Sequence, residues 1–412
     1  MTMTRCVFQP STQGNEPASG LPPMSRPRAR SGHEDGGADD AAFDRRPRGD
    51  RRRRHRRRAP RQTLQKHADV VLIDPKEYFE IPWANLRAQV DPIALDRTVI
   101  PHDEYLSHAK VVTACATGID DSVVLTSIGR AVAYDFLVIA TGRTCTRPPK
   151  RPDRIEMFHE DRRRIDGAKS VLIVGGGPVG VELAAEIVIS YAYPDKKAVT
   201  LVHGGAQLLE AMGPRAAGKA LDWLRYKGVT VLLDQTVDPA SAPPETKEFT
   251  TSAGETVKAD CYFVCASRPL ASAWLRDTFL KDHVNDKGQL AVDEHLRVGG
   301  MRNVFAIGDI TDVAEAKHGY LAQRQAMVVS RNLKLLLVKG SAREEKLHRY
   351  KPGAKSTMTV TLGRYDALAE LPFMSFLGSL PGAVKPRELF ITRTRRMMGL
   401  RSKPHNHMPR VM

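Results

Sequence analysis

Val171–Ile187, VLIVGGGPVGVELAAEI, decides how the rest of the chain is read. Val171 to Val174 are apolar and rich in β-branching, the pattern of a short strand buried on both faces. Gly175, Gly177 and Gly180 then spell G-x-G-x-x-G. Gly175 permits a tight turn, Gly177 removes the side chain where a pyrophosphate must approach the backbone, and Gly180 lets a helix pack close to a strand. Val181, Leu183, Ala184, Ala185 and Ile187 give that helix an apolar side. Its N-terminus offers unpaired N–H groups and a partial positive charge to an anion. Pro178 falls so early in the helix that its missing N–H costs little. Glycine turns also arise for purely structural reasons. Here a strand precedes, a helix follows and Ala198–Val202 completes a βαβ unit, so the stretch reads as a dinucleotide site.

The 412 residues around it allow two or three domains. The net charge of +16 is uneven: residues 1–62 hold +8, residues 385–412 hold +7, and the chain between is nearly neutral. Residues 1–62, rich in Arg, Pro, Gly and Asp, have no hydrophobic period and read as a disordered arm. Its Arg51–Arg58 run reads as a nuclear-localisation or nucleic-acid patch or as a plain solvated arm, the last favoured because no aromatic residues are interleaved for base stacking. The two basic tails together suit an anionic membrane surface more than nucleic acid. Cys6, Cys115, Cys145, Cys261 and Cys265 form neither a Cys-x-x-Cys pair nor a metal-like cluster, which points to a reducing compartment and to no metal site. No run of about 18 apolar residues is present for a membrane span, and the start lacks the apolar core of a secretory signal. The expected location is cytoplasmic, peripheral on membranes through the basic tails, with mitochondrion and nucleus left open.

Ala68–Asp74 (ADVVLID) reads as a buried strand ending in an acid, the place where a dinucleotide fold binds a ribose, though an Asp at a strand end is more often a turn or cap residue. Its expected partner, a strand and glycine loop some thirty residues upstream, is missing. YDFLVIATG (Tyr134–Gly142) and VFAIGDITD (Val304–Asp312) are strands running into small-residue turns. Leu290–Arg297 has strand character, Thr246–Val257 suggests a hairpin, and a helix is expected over about Gly319–Leu337. The apolar segment LPFMSFLGSLPG precedes the basic tail.

With LIDPKEYFEIPWANLRA, VLIVGGGPVGVELAAEI, KALDWL, VDEHLRV, NVFAIGDITD and GYLAQ in this order, the chain resembles the pyridine-nucleotide-disulfide oxidoreductases. Within them it is most similar to the apoptosis-inducing-factor-like branch, which includes ferroptosis-suppressor-type NAD(P)H:quinone oxidoreductases and their plant homologues. The resemblance implies an α/β fold of two Rossmann-like dinucleotide-binding domains, the NAD(P)H domain (167–289) inserted in a split FAD domain (63–166 and 290–345), then a C-terminal segment (346–412). It implies FAD on Asp74, Arg87, the Ala140–Thr141–Gly142 turn, Gly308 and Asp309, and NAD(P)H on Gly175, Gly177 and Gly180. Glu182 matches a carboxylate near the flavin–nicotinamide contact and Lys317 a lysine near the flavin; a solvated helix carboxylate and a surface lysine are the plain alternatives. The implied activity is electron transfer from NAD(P)H through FAD to a quinone-type acceptor. A monodehydroascorbate- or ferredoxin-reductase-like enzyme and a non-catalytic NAD(P)-binding interaction protein are the alternatives. Two departures stand out. The first FAD-binding βα unit is missing, and the second strand of the central unit ends in Val202–Gly205 (VHGG) without the acid that would select NAD over NADP.

Overall fold

The computed structural model describes residues 5–10, 64–65, 67–120, 122–192, 194–243, 245–339, 341–353, 358–371, 373–379 and 388–401. The Arg51–Arg58 run, the rest of the arm beyond Pro10 and the end of the basic tail lie outside them. Within them the glycine stretch folds as its pattern dictates. β10 (Ser170–Val174) lies between β11 (Ala198–Val202) and β15 (Cys261–Val264), with β12 (Val229–Leu232) beyond β11, all parallel. α5 (Pro178–Ser190) crosses from β10 to β11 and α6 (Pro214–Tyr226) from β11 to β12. Val171, Leu172, Ile173, Val181, Leu183 and Ile187 are all buried, each contributing about 1.5–3 kcal/mol. α4 (Arg151–Gly167) leads into this domain and puts Ile165 in its core. β13 (Glu248–Thr250) and β14 (Thr256–Lys258) form the expected hairpin.

The second nucleotide-domain sheet has the order β16 (Val304–Ala306), β9 (Phe136–Ile139), β1 (Arg5–Pro10), β2 (Ala68–Ile73), β5 (Ala109–Val112). Arg5–Pro10, at the start of the arm, is thus a strand of this sheet, and residues 11–63 lie outside the described residues. β1 runs antiparallel to both neighbours, with Arg5 opposite Ile73, Pro10 opposite Ala68 and Cys6 opposite Val138. The outer pairs, β2 with β5 and β9 with β16, are parallel. Ligands of such sheets sit at the carboxyl ends of the strands. β1 begins at that edge rather than ending there, so it cannot launch a glycine loop and helix N-terminus toward a pyrophosphate.

Around this sheet, β3 (Tyr78–Glu80) pairs with β4 (Val99–Pro101), enclosing α1 (Asn85–Val90) and α2 (Pro92–Thr98), and α3 (His102–Tyr105) follows. β6 (Ala116–Ile119), β7 (Val123–Thr126) and β8 (Ala131–Ala133) form a meander. α7 (Gly319–Lys339) covers β16, packing Val329, Leu333 and Leu336 with Phe305. Leu290–Arg297 is not the expected strand. It makes only isolated bridges and turns where the Asp293 carboxylate accepts from the N–H groups of His295 and Arg297, both at 2.8 Å. The C-terminal segment is an antiparallel sheet of β17 (Met358–Leu362), β18 (Asp366–Leu371) and β19 (Met374–Gly378), then α8 (Ile391–Met397). Met358, Val360, Leu362 and Leu368 share one core with Ile173, Val181 and Ile187, so this sheet is built onto the NAD(P)H-side domain.

Candidate active site

A cleft of about 980 Å³ runs between the two nucleotide domains. One end is the glycine loop. Gly175 has φ +111, which side-chain-bearing residues rarely adopt, and a Cβ there would press on the Cys265 carbonyl. A Cβ on Gly180 would strike the Gly175 carbonyl, whereas a Cβ on Gly177 would meet open space. The loop is therefore closely packed behind and vacant where a pyrophosphate would lie. Gly175, Gly176 and Gly177 line the cleft with Pro178 and Val179 of the first turn of α5. This end fits a nicotinamide dinucleotide.

The other end gathers Lys317, Arg143 and the buried Asp309. The Asp309 Oδ2 accepts from Arg143 Nε at 3.2 Å, while Oδ1 is buried with no hydrogen-bond partner among the described residues, an acceptor that a cofactor hydroxyl would satisfy. Gly308, at φ +83, turns the backbone there, its N–H held by Gln325 Oε1 at 2.6 Å. Lys317 Nζ donates to the carbonyls of Thr311 and Val313, at 2.7 and 2.9 Å. Burial lowers its pKa, opposed by the charges of Asp309, Glu315 and Asp312. Thr141 Oγ1 donates to the Ala271 carbonyl at 2.9 Å and the Gly142 carbonyl accepts from Ala271 N–H at 2.8 Å, fixing the turn after β9. This end fits a flavin; no glycine cradle for the FAD pyrophosphate exists among the described residues.

Between the ends, Tyr78, Phe79, Leu86, Met157, Phe158 and Leu183 make an aromatic and aliphatic wall. It includes a polar cluster that sequence reasoning missed. Glu80, buried, is held by Arg154 Nε at 2.8 Å, Arg147 Nη1 at 3.2 Å and Asn85 Nδ2 at 2.9 Å. Burial, then the Glu80 charge, pushes the Tyr78 hydroxyl up, so it stays protonated and donates to the Pro148 carbonyl at 2.7 Å. Arg143 and Arg147 directly follow the YDFLVIATG turn, which was the available signal.

Residues 91–329 match the pyridine nucleotide-disulphide oxidoreductase family. The chain belongs to that family. Its members use FAD and NAD(P)H, and this chain is an oxidoreductase of the apoptosis-inducing-factor-like and ferroptosis-suppressor-type branch. It is 30% identical to the ferroptosis suppressor protein 1 of Mus musculus over 340 residues, 78% of this chain and 87% of that one. With the apoptosis-inducing factor homolog B of Dictyostelium discoideum it shares 29% over 353 residues, 79% and 89% of the two chains. Among solved structures it resembles the sulfide:quinone oxidoreductase of Aquifex aeolicus, with a TM-score of 0.62, 16% identity and coverage of 81% and 86%. The Plasmodium falciparum NDH2 solved with NADH gives 0.61, 15%, 80% and 93%. At these identities the two structures establish the fold.

Against the residues that family resemblance implies, the structure sorts them into two groups. Gly175, Gly177, Asp74 and Lys317 line the cleft, whereas Ala140, Thr141 and Asp309 are buried and, like Gly180, Gly142 and Gly308, do not line it. Arg87 and Glu182 do not line it. Arg87 is buried and clamps Glu186 of α5, with Nη2–Oε1 at 2.6 Å and Nε 3.0 Å from both oxygens, while also donating to the Gly363 carbonyl at 2.9 Å. Glu182 turns to β17, accepting from Thr361 N–H and Oγ1, both at 2.8 Å. The Asp74 carboxylate already has Lys76 Nζ at 3.0 Å and His102 Nε2 at 3.3 Å. Burial pushes the Cys265 thiol, on the cleft wall, up to about 12, and no disulfide forms among Cys115, Cys145, Cys261 and Cys265. A thiolate relay has no support there.

Proposed function

We propose that this chain oxidises NAD(P)H and delivers the electrons to a quinone-type acceptor. The observation that carries the reading is that the Gly175–Gly177 loop and the Lys317 end open onto one cleft. FAD, when bound, supplies the exchange between a two-electron donor and the acceptor. The chain's own part is positioning. Gly175, Gly177 and the start of α5 hold the dinucleotide phosphates. Asp309 Oδ1 would hold the flavin side chain, and the Lys317 ammonium, fixed by two carbonyls, would place positive charge at the flavin end. The wall of Tyr78, Phe79, Met157 and Phe158 excludes water and suits a planar apolar acceptor. The same reading places the protein in the cytoplasm, on anionic membrane surfaces. Phe373, 94% exposed beside Met374 at the β18–β19 turn, would add apolar contact to the charge of the tails.

The test is NAD(P)H oxidation with added FAD, with ubiquinone and menaquinone analogues, ferredoxin and monodehydroascorbate offered in parallel. Quinone-dependent turnover that falls with Lys317→Met is the expected outcome. Turnover with ferredoxin or monodehydroascorbate alone would move the acceptor, and none with any acceptor would leave a nucleotide-binding protein.

A further inference from the structure

We propose that Glu210 makes this site selective for NADH over NADPH. The inference rests on the nucleotide reading of the Gly175–Gly180 loop. In a βαβ dinucleotide unit the adenosine ribose lies at the end of the second strand, where an acid accepts from its 2′-hydroxyl and repels a 2′-phosphate. Here that strand ends in Val202 and continues His203–Gly204–Gly205, without the acid. The structure supplies one from seven residues beyond His203. Glu210 Oε1 stands 3.5 Å from His203 Nε2 and occupies the space that a Cβ on Gly205 would need. Gly205, just past the strand end, thus leaves room for a carboxylate arriving from the loop.

Three further observations hold that carboxylate at the dinucleotide. His203 lines the cleft, its ring against Gly176 of the phosphate loop. The Leu209 N–H donates to the Gly176 carbonyl at 2.9 Å, tying the residue before Glu210 to the phosphate loop. Leu209 takes φ +53, an uncommon conformation for a leucine that fixes the direction in which residue 210 leaves. The Glu210 side chain is 68% exposed, free to accept from a ribose. No Lys or Arg occurs from His203 to Pro214, and the neighbouring strand end adds another acid, Asp234, whose N–H donates to the Gly205 carbonyl at 3.1 Å. A 2′-phosphate beside Glu210 would meet a carboxylate and an imidazole, with no cation from that loop.

The experiment is titration of NADH and NADPH fluorescence with the purified chain, which needs no turnover and no flavin loading. The unmodified chain should bind NADH at least about tenfold more tightly, the scale of a hydrogen bond to a charged group. Glu210→Gln should bring the two affinities within about threefold, and Glu210→Arg should reverse the order. Thermal melts check that these surface substitutions leave the fold intact. NADPH bound as tightly as NADH, or a ratio unmoved by Glu210→Gln, overturns the assignment. Binding of neither nucleotide overturns the nucleotide reading beneath it.

Discussion

The two nucleotide domains share a fold plan and differ in their first strand. On the NAD(P)H side β10 is parallel to its neighbours, ends at the ligand edge and hands over directly to a glycine loop and α5. On the flavin side the corresponding place between β2 and β9 is held by β1, which runs the other way. Both β1 and β10 pair with a neighbour on each side, so both are sound as structure. The difference is functional. A parallel strand delivers unpaired N–H groups to the ligand; an antiparallel one carries them off at the opposite edge.

The largest expected effect is an asymmetry in cofactor binding. Loss of several backbone N–H bonds to the FAD pyrophosphate, at about 1.5–3 kcal/mol each, weakens binding by orders of magnitude. The purified chain should hold NADH yet carry little FAD. Replacing residues 1–67 by a strand–GxGxxG–helix unit should raise flavin content, read from absorbance. Stoichiometric FAD in the unmodified chain would break the comparison.

Next comes the junction between the domains. Removing one member of a buried ion pair costs about 3–5 kcal/mol, because the other charge is left unpaired. Arg87→Met should lower the urea midpoint accordingly, and adding Glu186→Leu should recover part of the loss. A double variant no better than the single one would show that the pair is not the source.

Gly177→Val should leave the melting temperature near that of the unmodified chain, since a Cβ there meets nothing within 4 Å. It should weaken NADH binding at least about 100-fold by filling the pyrophosphate's place. The smallest effect is at Asp260, whose carboxylate accepts from Lys169 N–H, Ser170 N–H and Ser170 Oγ and is held at about 2. A folded value below the ordinary 3.8 means stabilisation present above about pH 4 and lost as pH falls to about 2. Asp260→Ala should lower the melting temperature at pH 6, with the gap narrowing toward pH 2.

These contrasts track what was legible in the sequence. The βαβ unit could be read directly because strand, turn and helix are contiguous and each glycine answers to a local steric demand. The Arg87 and Glu182 partners could not, because they lie far along the chain: Glu186 is 99 residues from Arg87, and Thr361 is 179 from Glu182. Asp74 was recognised by type and position, but Lys76 and His102 already claim its carboxylate. β1 escaped because RCVFQP has only Cys6, Val7 and Phe8 as apolar residues, and a strand's backbone bonds leave no mark in the side-chain pattern. Arg147 and Arg154 sat in a charged linker whose meaning depended on Glu80, an acid on a distant strand.

The pairing of Pro10 with Ala68 has a mechanical consequence. Residues 11–67 leave and rejoin the sheet at neighbouring points, on the edge away from the dinucleotides, so the Arg51–Arg58 charge belongs to an insertion anchored at both ends. A single cut in that insertion would leave Arg5–Pro10 without a covalent link to the two strands it lies between. An anionic surface gripping the arginines would therefore pull on the middle of the flavin-side sheet, where a load is shared by two ladders, rather than on a loose tether.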